Sequence, residues 1–136
     1  MRKANKKKVA IKKGSPQPLK DDKTVADILK KLKKLEESKF YLNPKYNLYA
    51  TAKKIETNTT YLSTILNVHQ QMTFTEYINT LRITYTIDRL QTDEQFRQYT
   101  VKAIAKEVGY KSHSPFSRAF KTKTGLNPSE YIKNLS

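Results

Sequence analysis

GYKSHSPFSRAFKTKTGLNPSEYI (Gly109–Ile132) is the stretch from which the fold of this 136-residue chain can be read. Gly109 supplies a turn, Ser112 stands in the cap position before a helix, and Phe116, Ala119 and Phe120 form one apolar stripe at helical spacing. After Gly125, the residues Asn127, Pro128 and Glu130 place a cap, a first-turn proline and an acidic residue in the order that starts another helix. The pattern occurs twice. In TNTTYLSTILNVHQQMTFTEYI (Thr57–Ile78), Leu62 and Leu66 match Phe116 and Phe120, and Glu76, Tyr77 and Ile78 match Glu130, Tyr131 and Ile132, fifty-four residues apart. Upstream the match continues with one residue of slippage, Leu48, Ala52 and Ile55 against Val101, Ala105 and Val108. Two copies of one helical unit predict an all-α chain.

Each copy reads as a short helix, a tight turn and a second helix: about 48–56 then 59–69, and 101–108 then 113–123. Asn58 is the expected cap in the first copy and Ser112 in the second. A third helix follows each pair. Thr73 and Glu76 are spaced as a capping box before the longer one, about 74–92, whose expected buried contacts are Tyr77, Leu81, Tyr85, Ile87 and Leu90. At 1.5 Å per residue it would span roughly 27 Å, enough to act as a strut between the two lobes. Residues 94–99 read as a polar connector. Upstream, Val25, Ile28, Leu29, Leu32 and Leu35 predict an amphipathic helix over 24–38 with Thr24 as its cap, ended before Asn43 and Pro44. The expected organisation is a basic, disordered tail at 1–23, a first lobe with the long helix at 24–92, and a second lobe at 93–136.

Composition narrows the function. Twenty-seven Lys and Arg against twelve Asp and Glu give a net charge of +15, which favours a polyanionic partner. The absence of cysteine excludes disulfides, thiolate metal sites and cysteine nucleophiles, and fits a reducing compartment. His69 and His113 fall in different lobes without metal-ligand spacing, and no glycine loop cradles a phosphate, so neither a cofactor nor a metal is expected. No apolar run approaches the roughly 20 residues that cross a bilayer. The expected location is cytoplasmic and nucleoid-associated. Nine tyrosines raise the question of a recombinase nucleophile, but Tyr77 and Tyr131 repeat at apolar positions and read as core.

The second helix of each copy has a polar face opposite its apolar stripe. In the first it carries Thr59, Thr60, Ser63, Thr64 and Asn67; in the second, at the same offset, His113, Ser114, Ser117, Arg118 and Lys121. A helix-turn-helix places such a face in the major groove. Ser, Thr and Asn exchange hydrogen bonds with base edges, Thr methyls meet thymine, and Arg makes a bidentate bond to guanine. The bland reading is an ordinary solvated face; the duplication and the charge favour recognition. Lys53, Lys54, Lys102 and Lys106, on the leading helices, and Lys121 are the expected phosphate contacts.

IAKEVGYKSHSPFSRAFKTKTGLNPSEYI (Ile104–Ile132) resembles the signature of AraC/XylS-type transcription regulators. AKKIETNTTYLSTILN followed by TFTEYINTLR (Ala52–Asn67 and Thr73–Arg82) is similar to the first helix-turn-helix and linker helix of that family. The resemblance implies a seven-helix module of two homeodomain-like helix-turn-helix lobes, bound in successive major-groove segments on one side of a duplex. It also implies control of promoters through RNA polymerase, with a separate sensing domain. Glu56 stands where the family usually has a turn glycine, and Gln71 where Gly125 stands in the second copy. Both fit the fold provided their φ stays negative. The basic opening segment resembles the stretch after a membrane span in members that end a larger membrane-anchored sensor.

Two other readings accompany this one. A non-specific nucleic-acid or anionic-surface binder would use the charge alone, and a protein-interaction module would never meet DNA. Alkylated-DNA repair, known among family relatives, needs a cysteine acceptor that this chain lacks.

Overall fold

The computed structural model describes residues 22–135. The expected tail falls largely on residues 1–21, outside the described residues. The described chain is helical, with seven α-helices and two short 3-10 turns, and divides into two compact units.

The first unit comprises residues up to Ser38 together with Asn47–Phe74. It contains α1 (Asp22–Glu37), α2 (Leu48–Lys54) and α3 (Thr59–Gln70). Thr24 does not cap α1, because the helix already begins at Asp22 and Thr24 lies in its first turn. Val25, Ile28 and Leu32 are buried while Lys23, Lys30, Lys31, Lys33 and Lys34 are exposed, as the apolar spacing requires. α2 starts at Asn47, whose side chain accepts from Ala50 N–H at 2.8 Å, and α3 at Asn58, which accepts from Tyr61 N–H at 2.8 Å. Leu62, Ile65 and Leu66 of α3 have no exposed surface, each burial contributing about 1.5–3 kcal/mol.

The turn between α2 and α3 is closed by two backbone bonds. Glu56 N–H donates to Lys53 C=O (3.0 Å) and Thr57 N–H to Ala52 C=O (2.9 Å). The second copy repeats this closure: Gly109 N–H donates to Lys106 C=O (3.2 Å) and Tyr110 N–H to Ala105 C=O (2.9 Å). The condition placed on Glu56 and Gln71, a negative φ, is not met, and the helices form all the same. Glu56 has φ 64° and Gln71 φ 53°, beside 103° at Gly109 and 84° at Gly125. Unbranched side chains tolerate this region better than β-branched ones. Glu56 is also held to α1 by Lys31 Nζ at 2.7 Å, which keeps its carboxyl below the usual range. Gln71 Nε2 donates to Val68 C=O at 3.1 Å.

The second unit comprises Lys39–Tyr46 and the chain from Thr75 onward. It holds most of α4 (Phe74–Thr92), then α5 (Val101–Glu107), α6 (His113–Thr124) and α7 (Pro128–Leu135). Its core gathers Ile83 and Leu90 of α4, Ile104, Ala105 and Val108 at α5, and Phe116 and Phe120 of α6. Within α4 the fully packed positions are Tyr77, Ile78, Ile83, Thr86 and Leu90, while Leu81, Tyr85 and Ile87 are half-buried. Tyr131 is half-buried, its ring edge-on to Phe120 at 5.2 Å and its hydroxyl accepting from Gln91 Nε2 at 3.1 Å.

Two anchors fall where the sequence reads as connector. The 3-10 turn Phe96–Gln98 buries Phe96 completely, with the Arg89 guanidinium 4.1 Å from its ring centre. The 3-10 turn Phe40–Leu42 buries Phe40 and Tyr41. Tyr41 C=O accepts from Arg82 Nε at 2.7 Å, and the Arg82 guanidinium lies 4.8 Å from the Tyr110 ring centre. A Cβ on Gly109 would come within 2.6 Å of Tyr41 C=O and 2.8 Å of Arg82 Nε. Gly109 is therefore needed for space as well as for its φ.

The helix starts follow local chemistry. Thr100 caps α5 by accepting from Ala103 N–H at 3.0 Å. Asn127 and Glu130 cap α7 reciprocally, Asn127 Oδ1 accepting from Glu130 N–H (2.9 Å) and Asn127 N–H donating to Glu130 Oε1 (3.3 Å). Ser112 occupies the cap position of α6, but its hydroxyl accepts no capping bond.

Two stability outcomes follow. Gly109→Ala should cost about 2 kcal/mol or more in thermal unfolding, because strain and collision add, whereas Glu56→Gly at the matching position should raise the melting temperature. Equal effects of opposite-sense changes at the two turns would contradict this asymmetry. Thr51 of α2 is fully buried, and its hydroxyl has no partner among the described residues. Thr51→Val should therefore stabilise the protein by about 1 kcal/mol in urea titration; a loss of stability would show that the hydroxyl is satisfied.

Candidate nucleic-acid interface

Burial of one side of α3 and α6 fixes what the other side presents. On α3, Thr60, Ser63 and Asn67 are exposed and Thr59 and Thr64 half-buried. On α6, His113, Ser114, Arg118 and Lys121 are exposed and Ser117 half-buried. None of these ten side chains is buried, and none is engaged in an ion pair among the described residues. α3 thus offers hydroxyls and one amide, and α6 offers hydroxyls and an imidazole, groups of the kind a base edge can meet. The α6 surface adds two cations; the α3 surface carries no charge.

Lys53 and Lys54 close α2, Lys106 ends the last turn of α5, and Lys102 sits in its first turn; all four are exposed. Lys53 Nζ lies 6.0 Å from the ring centre of Tyr49, the most exposed large apolar residue among the described residues at 65%. In each unit the sequence-derived residues therefore fall on one helix pair, α2 with α3 and α5 with α6, and these pairs pack directly on each other.

The second unit contains a feature that periodicity does not announce. A cleft of about 580 Å³ runs between α4 and α6. Its α4 wall is Thr75, Glu76, Asn79, Thr80 and Ile83, and its α6 wall is Pro115, Arg118, Ala119, Thr122 and Lys123. Arg118 thus belongs both to the polar face of α6 and to this cleft. Asn79 is fixed in place: its Oδ1 accepts the Tyr110 hydroxyl at 2.6 Å. Burial pushes the Tyr110 phenol up to about 12, against the opposing pull of the neighbouring Arg82, so the hydroxyl remains a donor at neutral pH. Burial in turn lowers Arg82 from its ordinary value, and it remains a cation. Sequence patterns do not single out the cleft-lining Asn79, Thr80 and Lys123, because lone polar residues on a helix look like solvated ones.

Among the described residues no group of His, Asp and Glu has the arrangement of a metal site, and no helix is long and apolar enough to cross a membrane.

Comparison with known proteins places this geometry. The profile of a helix-turn-helix domain family matches residues 51–134. The chain is 40% identical over 63 residues to the TCP pilus virulence regulatory protein of Vibrio cholerae, a match covering 46% of this chain and 21% of that protein. It therefore spans about a fifth of that relative's length. Among solved structures, the C-terminal domain of AraT, a response regulator from Geobacillus stearothermophilus, superposes with a TM-score of 0.66 at 20% identity, covering 79% of this chain and 84% of that one. The DNA-binding domain of AdpA, a global transcriptional factor solved in complex with a target DNA, gives 0.65 at 15% identity, covering 79% and 91%. These structural likenesses establish the shared fold.

Proposed function

The chain belongs to the AraC-type helix-turn-helix family, and we propose that it binds double-stranded DNA sequence-specifically to regulate transcription, with α3 and α6 as recognition helices in successive major-groove segments. The observation that carries this reading is the pairing of solvent-facing polar surfaces at matched positions on two helices whose opposite sides are fully buried. A non-specific binder would need the charge but not the duplicated surface.

In this account Arg118 makes the bidentate contact to guanine, and His113, Ser114 and Ser117 exchange hydrogen bonds with neighbouring base edges. Thr59, Thr60, Ser63, Thr64 and Asn67 read the other half-site through hydroxyl, methyl and amide contacts. Lys53, Lys54, Lys102, Lys106 and Lys121 neutralise phosphates, which sets register and affinity rather than sequence preference. The α6 half supplies the larger electrostatic share, because its face carries Arg118 and Lys121 where α3 has Thr64 and Asn67. Contact with RNA polymerase and control by a sensing domain belong to the same proposal, supported by membership in a family of regulators. The family gives no reason to assign an enzymatic step.

Competition between a selected duplex and random duplex tests the reading. A strong preference for the selected site is expected, and a ratio near one would favour a general polyanion binder. Arg118→Ala should cost about 1–3 kcal/mol on the selected site and relax base preference beside it. An equal loss on all sequences would make Arg118 a phosphate contact only. Replacing Ser63 and Thr64 together by alanine should change preference in the other half-site, and an unchanged selection profile would remove the reading role of α3.

A further inference from the structure

One wall of the cleft, α4, lies outside the helix pairs that account for base reading and for the lysine contacts, and the other wall shares Arg118 with the α6 face. Its chemistry is weighted toward donors. Asn79, which lines the cleft, accepts the Tyr110 hydroxyl at its carbonyl oxygen, so the amide N–H groups are what it can offer an acceptor there. Thr80 and Thr122 add hydroxyls, and Arg118 and Lys123 add positive charge. Glu76 is the one carboxylate among the lining residues.

An oriented amide, two hydroxyls and two cations beside a recognition helix match the acceptor oxygens of a sugar–phosphate backbone better than they match a base edge. The sugar–phosphate backbone takes about half to two-thirds of protein–DNA hydrogen bonds, and those bonds set register rather than sequence. We infer that this cleft seats a phosphate of the strand bordering the groove that α6 enters, with Asn79 and Thr80 of α4 as donors facing Lys123 of α6. The inference rests on the DNA-binding reading above and adds to it a backbone contact made by the long helix. Arg118, shared by both surfaces, then lies between a base edge and a phosphate, and the seat itself adds affinity without reading sequence.

Glu76 gives the inference a distinctive sign. A carboxylate on the wall of a phosphate seat repels the strand, so its removal should tighten binding beyond the effect of the general field.

Four substitutions on the intact chain test this, measured by titration with one selected duplex and one random duplex at several salt concentrations. Asn79→Asp keeps an oxygen acceptor for the Tyr110 hydroxyl while removing the amide donors. It should weaken binding to both duplexes by roughly tenfold or more, leaving their ratio unchanged. Thr80→Val should weaken both more modestly, again without altering preference. Lys123→Ala should reduce the salt slope by about one. Glu76→Gln should tighten binding several-fold, more than Asp88→Asn, an exposed change of the same charge on α4 away from the cleft. Wild-type affinity for Asn79→Asp and Thr80→Val, with Arg118→Ala still weakening the selected site, would overturn the phosphate seat while leaving base reading by α6 intact. Equal effects of Glu76→Gln and Asp88→Asn would likewise overturn it. Loss of preference in the wild-type chain would instead remove the DNA-reading premise.

Discussion

Burial of one side of α3 and of α6 is the constraint on which the rest depends. Leu62, Ile65 and Leu66 of α3, and Phe116 and Phe120 of α6, have no exposed surface. A helix so anchored cannot roll about its axis without exposing apolar area at about 25 cal/mol per Å². The polar positions one half-turn away are therefore presented in fixed directions. Preorganisation of this kind lets a hydroxyl or guanidinium discriminate between base edges rather than merely touch them, because little ordering remains to be done on binding.

The helices are held at their leading ends by one repeated backbone device. In both copies the first helix ends in a left-handed residue with paired carbonyl closures, 2.9–3.2 Å long. The copies reinforce it differently. In the first, a surface ion pair from α1 reaches the turn residue, an interaction that is weak in water and screened by salt. In the second, the Tyr41 carbonyl and the Arg82 side chain crowd against a glycine. The second turn is thus defined by packing and a half-buried cation, and the first by backbone geometry with a solvated support. The polar face that carries Arg118 and Lys121 sits beside the more tightly built turn.

The sequence revealed much of this because caps and apolar stripes are local. Asn58, Asn127 with Glu130, and the Phe116–Phe120 stripe each act within one turn of helix, so their spacing alone reports them. The 74–92 helix matched its expected limits for the same reason. Phe96, Phe40 and Tyr41 escaped notice because single aromatics in three-residue turns have no period, and their burial is decided by distant chain. The positive φ of Glu56 and Gln71 escaped for a different reason: residue preference argues against it, and the demands of the turn prevail. Arg82 and Asn79 read as ordinary polar residues of α4; only folded neighbours such as Tyr110 give them their roles. At the interface, residue type and helical phase identified the candidate faces of α3 and α6, while the cleft beside α6 required coordinates.

Selection of bound duplexes from a fully random pool tests the central claim most directly. The proposed reading by α3 and α6 in successive groove segments predicts an enriched motif of two short half-sites with centres about one helical turn, roughly 10 base pairs, apart, with a guanine in the half-site lost on Arg118→Ala. A pool that remains random while the protein still binds it tightly would contradict the account, because oriented reading faces would then have no role.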